Sequence, residues 1–200
     1  KLDYNLNNAI NNVLKLEKNK IDLMKVELIN ENSYVYSFLF ISCGIFSDID
    51  IGSDFLRFLG NYRFTIKAIL EILFKKSFYG ILEYEIVDKN FIKNIIRIEG
   101  TFIFFMANNL SHCSENTHTS PGSLPNDGLI KINYLLEPCS RIKLTNVLLG
   151  LENGDFINDV KTIVTNNFKL TPTGSYLDID GEAFESQPIQ VSINKEKLKI

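Results

Sequence analysis

The stretch from Ser47 to Thr65 concentrates acidic and basic side chains directly behind an apolar segment. Asp48 and Asp50 are two residues apart, so in an extended segment both carboxylates leave the same face. Arg57 and Arg63 follow a short distance on, and their forked guanidinium groups suit phosphate oxygens. Acidic and basic groups placed this close together indicate a site that handles phosphate.

Composition limits the classes to which the chain can belong. With 200 residues, 45% of them hydrophobic, the chain can bury one sizeable core. Its net charge of -3 argues against nucleic-acid binding, which normally needs a basic face. Three scattered cysteines are too few for a disulfide framework, which favours a reducing, cytoplasmic location. The chain starts at Lys1 without a signal-peptide pattern, so we expect a piece of a longer protein.

Apolar residues at helical spacing predict three helices, over residues 3–18, 66–76 and 141–152. Alternating or β-branched segments predict strands over 21–28, 34–46, 79–87, 91–98, 101–107, 129–136, 159–170, 175–179 and 189–193. The polar segment 108–128 predicts a long exposed loop, and Asp180-Gly181 a tight turn. Many short strands with few helices predict a mainly β fold, an antiparallel β-sandwich with the later two helices covering one opening. We expect residues 1–20 to be a linking helix and residues 21–200 to be the sandwich domain.

The segment FISCGIFSDIDIGSDFLRFLGNYRFTIKAI resembles the C-terminal half of sphingosine kinases. In that family a Gly-x-x-x-Asp-x-Asp stretch leads to Arg-x-Leu-Gly and then to Arg-Phe-Thr. The matching residues here are Gly44, Asp48, Asp50, Arg57, Leu59-Gly60 and Arg63-Phe64-Thr65. Three further stretches, DLMKVEL, LLGLENG and YLDIDGE, resemble the family in the same order, so the resemblance spans nearly the whole chain.

The wider diacylglycerol-kinase-type lipid kinase superfamily joins an N-terminal α/β nucleotide domain, with a Gly-Gly-Asp-Gly-Thr loop, to a C-terminal β-sandwich that holds the lipid. That loop does not occur in this sequence. The resemblance therefore implies a lipid-holding half whose nucleotide domain is absent, and a fragment that is inactive alone. It implies a whole protein that uses ATP and Mg²⁺, bound mainly by the N-terminal kinase domain, to phosphorylate the primary hydroxyl of a sphingoid base, with peripheral membrane contact.

The resemblance also implies a role for each charged residue. Asp50 receives the amino and hydroxyl headgroup of the lipid, with Asp48 as its secondary partner. Arg57 and Arg63 contact the nucleotide phosphates. Two further residues come from the YLDIDGE stretch. Asp180 is a candidate for binding the nucleotide. Glu182 lies near the nucleotide and is, with Asp50, a catalytic candidate.

The lipid tail needs an apolar channel, because each buried methylene contributes about 0.8 kcal/mol to binding. Candidates lie on the two later helices and on the strand before the acidic pair. They are Ser42, Ile45, Phe46, Ile69, Leu73, Leu144, Val147, Leu148 and Leu151. The loop residues His112, Cys113 and His118 match no zinc pattern, so we expect no metal site in this chain.

Each of these assignments has a simpler alternative. An Asp-x-Asp pair can be a solvated turn, and Asp180-Gly181 can be only a hairpin turn. Arg57 and Arg63 can form surface ion pairs with Asp54 or Glu71. The apolar stripes on the helices can be ordinary core, since periodicity does not distinguish a lipid channel from packing.

Two rival functions also remain at this point. One is a kinase acting on ceramide or diacylglycerol, in which a neutral headgroup would have less use for Asp50. The other is a non-catalytic lipid-binding module. The sequence leaves open whether the domain forms a homodimer.

Overall fold

The computed structural model of the chain describes residues 20–60, 62–87, 93–114 and 117–199. The predicted helix over residues 3–18 lies outside this part of the chain, as do residues 91 and 92 of the strand predicted over 91–98.

Strands are the most abundant elements of the described chain. They are β1 Lys20–Leu28, β2 Ser33–Ser37, β3 Phe40–Gly44, β4 Phe78–Val87, β5 Lys93–Asn108, β6 Ile130–Leu136, β7 Lys161–Thr165, β8 Asn167–Thr173, β9 Leu177–Ile179, β10 Glu182–Phe184 and β11 Ile189–Lys199. The α-helices are α1 Ile45–Asp50, α2 Tyr62–Phe74 and α3 Arg141–Leu149. Two 3₁₀ helices, Ile51–Leu59 and Asp155–Asp159, complete the described elements.

The strands pair antiparallel throughout the described ladders and form one hydrogen-bonded sheet. Its order is β10-β9-β3-β5-β4-β8-β11-β1-β2, with β6 paired to β5 and β7 paired to β6. The sheet curves as a half-barrel covered by helices. The predicted fold class, mainly antiparallel β with a few covering helices, is confirmed.

The central strands bury both of their faces. On β3, Ile41 and Cys43 pack in the core inside the curved sheet, while Phe40 packs in a second core beneath the helices. Alternation along a strand accounts for this split. On β5, Ile103 and Phe104 both join the helix-side core, because the pairing with β6 has a register irregularity between Phe102 and Phe104.

The predicted strand over 34–46 is wrong in its extent, because it is interrupted after β2 and ends at Gly44. Gly44 has φ 78, and a Cβ there would lie 2.4 Å from the carbonyl oxygen of Ile103. Only glycine fits this conformation and this approach. The chain then turns into α1, and Ser47 Oγ donates to the Gly44 carbonyl at 2.9 Å.

The expectation that Asp48 and Asp50 leave one face of an extended segment is therefore also wrong. In a helix, two residues apart means about 200° of rotation, so the two carboxylates point in different directions.

Other strand boundaries also differ from the predicted ones. The strands predicted over 91–98 and 101–107 are continuous as β5, because Glu99 and Gly100 pair with β4 instead of turning. The segment 159–170 divides into the end of a 3₁₀ helix, β7 and β8. The predicted turn at Asp180-Gly181 is confirmed, joining β9 to β10 with φ values of 53 and 90.

Candidate functional site

A cavity of about 480 Å³ lies between the helix-facing side of the sheet and the covering helices. Its apolar wall comes mainly from Phe40, Phe46, Ile49, Phe64, Ala68, Met106, Leu148 and Leu151. Its polar wall comes mainly from Ser42, Asp50, Asp178, Thr65, Glu152 and the loop residues Cys113, Ser114 and Thr117. This size and this mixture are typical of a small-molecule or lipid site.

The break at Gly44 positions α1 over the sheet. Ile45 is fully buried, and the Phe46 ring meets Phe104 edge-on, with ring centroids 4.7 Å apart. These contacts fix the start of the helix on β5, and Asp50 at its end then reaches the cavity wall. The local sequence Gly-Ile-Phe thus places the Asp50 carboxylate at the cavity wall.

Asp50 is the predicted headgroup residue that the structure does place at the cavity. Burial raises the pKa of its carboxyl, and the nearby Asp54 carboxylate adds to this rise. The Arg63 guanidinium opposes both effects. A partly desolvated carboxylate of this kind favours a cationic partner.

Asp48 lies elsewhere. It is half-buried on α1 and does not line the cavity. Burial raises the pKa of its carboxyl, and the charge of Glu71 raises it further. The predicted role as the partner of Asp50 remains a prediction.

Asp178 on β9 lines the cavity, and sequence reasoning did not single it out. Its oxygens accept hydrogen bonds from Ser42 Oγ at 3.1 Å and from the Gly181 amide at 2.9 Å. Ser42 and Asp178 are direct partners in the β3–β9 ladder. Burial, followed by the charge of Asp50, raises the pKa of Asp178 to about 7. Leu177 and Ile179, on either side of Asp178, are apolar, so alternation along a strand predicts that Asp178 points to the other face of the sheet. This alternation is the signal in the sequence that could have identified Asp178.

Asp180 holds the connection between β2 and β3. Its carboxylate accepts from Ser37 Oγ at 2.8 Å and from the amides of Phe38, Leu39 and Phe40 at 2.8, 3.1 and 2.9 Å. The structure therefore gives this side chain a structural task, and its predicted nucleotide role remains a prediction.

Glu182 lies on β10 opposite Ile179, is exposed and does not line the cavity. Its predicted catalytic role is likewise untested.

Arg57 and Arg63 both bind the carboxylate of Asp54. Arg57 donates two hydrogen bonds to it, and Arg63 Nη1 lies 2.9 Å from Oδ1. The alternative of ion pairs with Asp54 is thus present in the structure. Glu71 pairs instead with Lys67, at 2.7 Å. Contact between the arginines and a nucleotide remains a prediction.

The candidates for the lipid tail divide into three groups. Phe46, Leu148 and Leu151, together with the polar Ser42, line the cavity. Ile45, Leu144 and Val147 are fully buried in the helix-side core, which is the alternative considered above. Ile69 and Leu73 are 53% and 59% exposed on α2 and do not line the cavity. The neighbouring residues Phe64, Thr65 and Ala68 supply the α2 side of the wall instead.

A metal ion has no ready site in the part of the chain that the structure describes, since no group of three or more acidic, His or Cys side chains is placed to hold one. The rings of His112 and His118 stack on each other with centroids 4.0 Å apart. In the same part of the chain, no helix is long and apolar enough to cross a membrane.

Known proteins resemble the chain in both sequence and fold. Sphingoid long chain base kinase 4 of Schizosaccharomyces pombe is 23% identical over 218 residues, covering 90% of this chain and 47% of that protein. A solved structure of a diacylglycerol kinase from Bacillus anthracis str. Sterne matches with a TM-score of 0.65 at 15% identity. That match covers 99% of this chain and 61% of the other.

These similarities support the lipid-kinase superfamily. No protein-family model matches the chain. At 15% identity the structural match establishes a shared fold, here with one part of a lipid kinase. The chain spans about half the length of its sphingoid-base kinase relative.

Proposed function

We propose that this chain is the lipid-binding half of a kinase that phosphorylates the primary hydroxyl of a sphingoid base. The observation that carries the proposal is the cavity, in which an apolar wall meets the carboxylate of Asp50. The sphingoid-base kinase relative supports the choice of lipid.

The two kinds of wall suit the two ends of such a lipid. The alkyl tail would lie along the apolar side chains, gaining about 0.8 kcal/mol per buried methylene. Asp50 would accept hydrogen bonds from the ammonium and from a hydroxyl, which fixes the direction of the primary alcohol. The apolar surroundings strengthen that ionic contact, because little water competes for it.

Among the described residues, Arg57 and Arg63 are candidates for contact with a nucleotide. ATP would supply the phosphoryl group, and its Mg²⁺ would need ligands that the described chain does not gather. We propose that the N-terminal kinase domain of the whole protein binds most of the nucleotide. Arg57 and Arg63 fit its phosphates chemically, because guanidinium groups bind phosphate oxygens in pairs.

A second candidate is a diacylglycerol kinase, which the fold match to a diacylglycerol kinase structure favours. Diacylglycerol is neutral, so it would gain little from the acidic residues Asp50 and Asp178 in the cavity wall. Relative turnover of charged and neutral lipids separates the two candidates.

A kinase for these lipids has to meet a bilayer. Phe55 and Phe58 are 70% and 80% exposed on the 3₁₀ helix that directly follows Asp50. We propose that these two rings touch the membrane surface while the headgroup enters the cavity. Such peripheral contact suits a cytoplasmic protein that takes its substrate from a membrane.

The deciding experiment uses the full-length protein with ATP, Mg²⁺ and three lipids in mixed micelles: sphingosine, ceramide and diacylglycerol. We expect phosphate transfer to sphingosine in clear preference to the other two. Preference for diacylglycerol would establish the second candidate. Lipid binding without transfer to any of the three would indicate a non-catalytic lipid-binding module.

A further inference from the structure

We propose that Asp178 is a positioning residue that releases a proton when a cationic headgroup binds at Asp50, so that the pair of carboxylates selects a lipid bearing an ammonium group. The inference rests on the proposed function, because it concerns the same cavity and the same class of lipid. Asp178 acts through its electrostatic interaction with Asp50, and it does not contact the reacting hydroxyl.

Both carboxylates lie close to Gly181. The Gly181 amide donates to Asp178 Oδ1 at 2.9 Å, and a Cβ on Gly181 would lie 4.0 Å from Asp50 Oδ2. Asp178 itself is 0% exposed, although it forms part of the cavity wall. Asp178 is therefore a buried ionisable group next to the place where the headgroup would bind.

The partners of Asp178 do not neutralise it. Within the described residues, its two hydrogen bonds come from the Ser42 hydroxyl and the Gly181 amide, and neither donor is cationic. A desolvated carboxylate with neutral donors and a second carboxylate nearby holds its proton more tightly. This is the physical cause of a pKa near 7, with burial as the larger effect and Asp50 as the next.

Asp178 interacts electrostatically with titratable groups from several elements. The titratable groups that act on it or feel its charge are Asp50 from α1, Cys43 from β3, Cys113 from the 109–129 loop, and Asp180 from the β9–β10 turn. Burial raises the pKa of the Cys43 and Cys113 thiols, the latter to about 11, so both stay neutral near pH 7. The Arg63 guanidinium acts on Asp50 and is the nearby cation identified there.

An ammonium group at Asp50 would supply the missing positive charge. Asp178 then gives its proton to water and becomes a carboxylate, because the added positive charge lowers the pKa of its carboxyl. A neutral headgroup provides no such compensation, so Asp178 keeps its proton. Binding of the cationic lipid is therefore linked to release of a proton, whereas binding of a neutral lipid is not.

The test measures KM and kcat of the full-length protein for sphingosine between pH 6 and pH 8 at saturating ATP. Because the proton must leave, we expect KM to fall about tenfold from pH 6 to pH 8. Calorimetry in two buffers of different ionisation enthalpy counts the released proton without any turnover. The N-acylated lipid, which lacks the ammonium, should bind without proton release or not bind at all.

Three variants separate this role from a purely structural one. Asp178→Asn keeps the shape, and should flatten the pH dependence of KM and abolish proton release. Ser42→Ala removes a hydrogen bond that lowers the pKa of Asp178, so the fall in KM should move to higher pH. Glu185→Gln removes one negative charge from an exposed position just after β10, and should leave the profile as in the wild type.

An unchanged pH profile in Asp178→Asn would overturn the inference, and so would equal proton release with the neutral lipid. If Asp178→Asn does not fold, the Ser42→Ala variant and the comparison of charged with neutral lipid still test the inference. Failure of the proposed function has a different signature, because sphingosine would then be neither bound nor phosphorylated at any pH. If sphingosine is phosphorylated but its KM does not change between pH 6 and pH 8, only the role of Asp178 is refuted.

Discussion

The Arg57 guanidinium binds the Asp54 carboxylate with two hydrogen bonds, of 3.0 and 2.9 Å. Arg63 joins the same carboxylate from nine residues further along the chain. The two arginines for which the family resemblance implies contact with nucleotide phosphates are therefore held together by one acidic side chain. Phosphate binding would have to compete with Asp54 for both of them.

Asp54→Asn tests this competition in the full-length protein. Because the neutral amide holds the guanidinium groups less tightly, we expect a lower KM for ATP and an unchanged KM for the lipid. Arg57→Ala should raise the KM for ATP. If both substitutions leave the ATP titration unaltered, the two arginines form only a surface ion-pair cluster.

Asp50→Asn should selectively damage use of the amine lipid. Loss of a charge-assisted hydrogen bond predicts a decrease in kcat/KM for sphingosine of about 10- to 100-fold, with little change in the KM for ATP. Asp48→Asn is the matched comparison, since it lies two residues earlier on α1 but outside the cavity wall. An equal loss in both variants would show that the headgroup does not bind in this cavity.

Asp180→Ala should destabilise the fold, because three backbone amides and the Ser37 hydroxyl lose their acceptor. We expect a loss of roughly 2–4 kcal/mol in the free energy of unfolding, measured by urea denaturation. Asp180→Asn tolerates the positive φ and keeps one acceptor oxygen, so its loss should be smaller. A stable Asp180→Ala protein with a raised KM for ATP would instead support the nucleotide role.

Ala68→Phe should shorten the preferred lipid tail, because Ala68 lines the cavity and a phenyl ring there would occupy part of it. Each methylene that no longer fits costs about 0.8 kcal/mol, or roughly a fourfold loss of affinity. Ile69→Phe adds bulk at the next residue, on the exposed side of α2. If it shifts the chain-length profile as much as Ala68→Phe does, the tail runs outside the cavity.

Replacing Phe55 and Phe58 together by serine should weaken binding to lipid vesicles, because the two exposed rings would no longer insert at the surface. Vesicle co-sedimentation measures this, while turnover in micelles should change less. Replacing Tyr34 and Tyr36 on β2 by serine is the matched control, since these rings are 57% and 51% exposed. Equal losses in both double variants would argue against a defined contact at Phe55 and Phe58.

The sequence by itself determined the class of fold and the order of most elements. Alternation in β1 and helical spacing in α2 are local patterns, so each segment carries its own signal. Turn residues such as Asp180-Gly181 are equally local, because positive φ values limit which residues fit. The resemblance over Gly44 to Thr65 likewise singled out Asp50, which lies at the cavity wall.

Tertiary structure alone decided which faces are buried and which side chains meet. Gly44 ends β3 because the Ile103 carbonyl, 59 residues away along the chain, lies against it. Asp178 alternates with the apolar Leu177 and Ile179 along β9, and only the helices that cover its face of the sheet place it in the cavity wall near Asp50. Ile69 and Leu73 read as channel residues, yet α2 turns them outward. Such outcomes depend on pairing and packing between distant segments, which local periodicity does not encode.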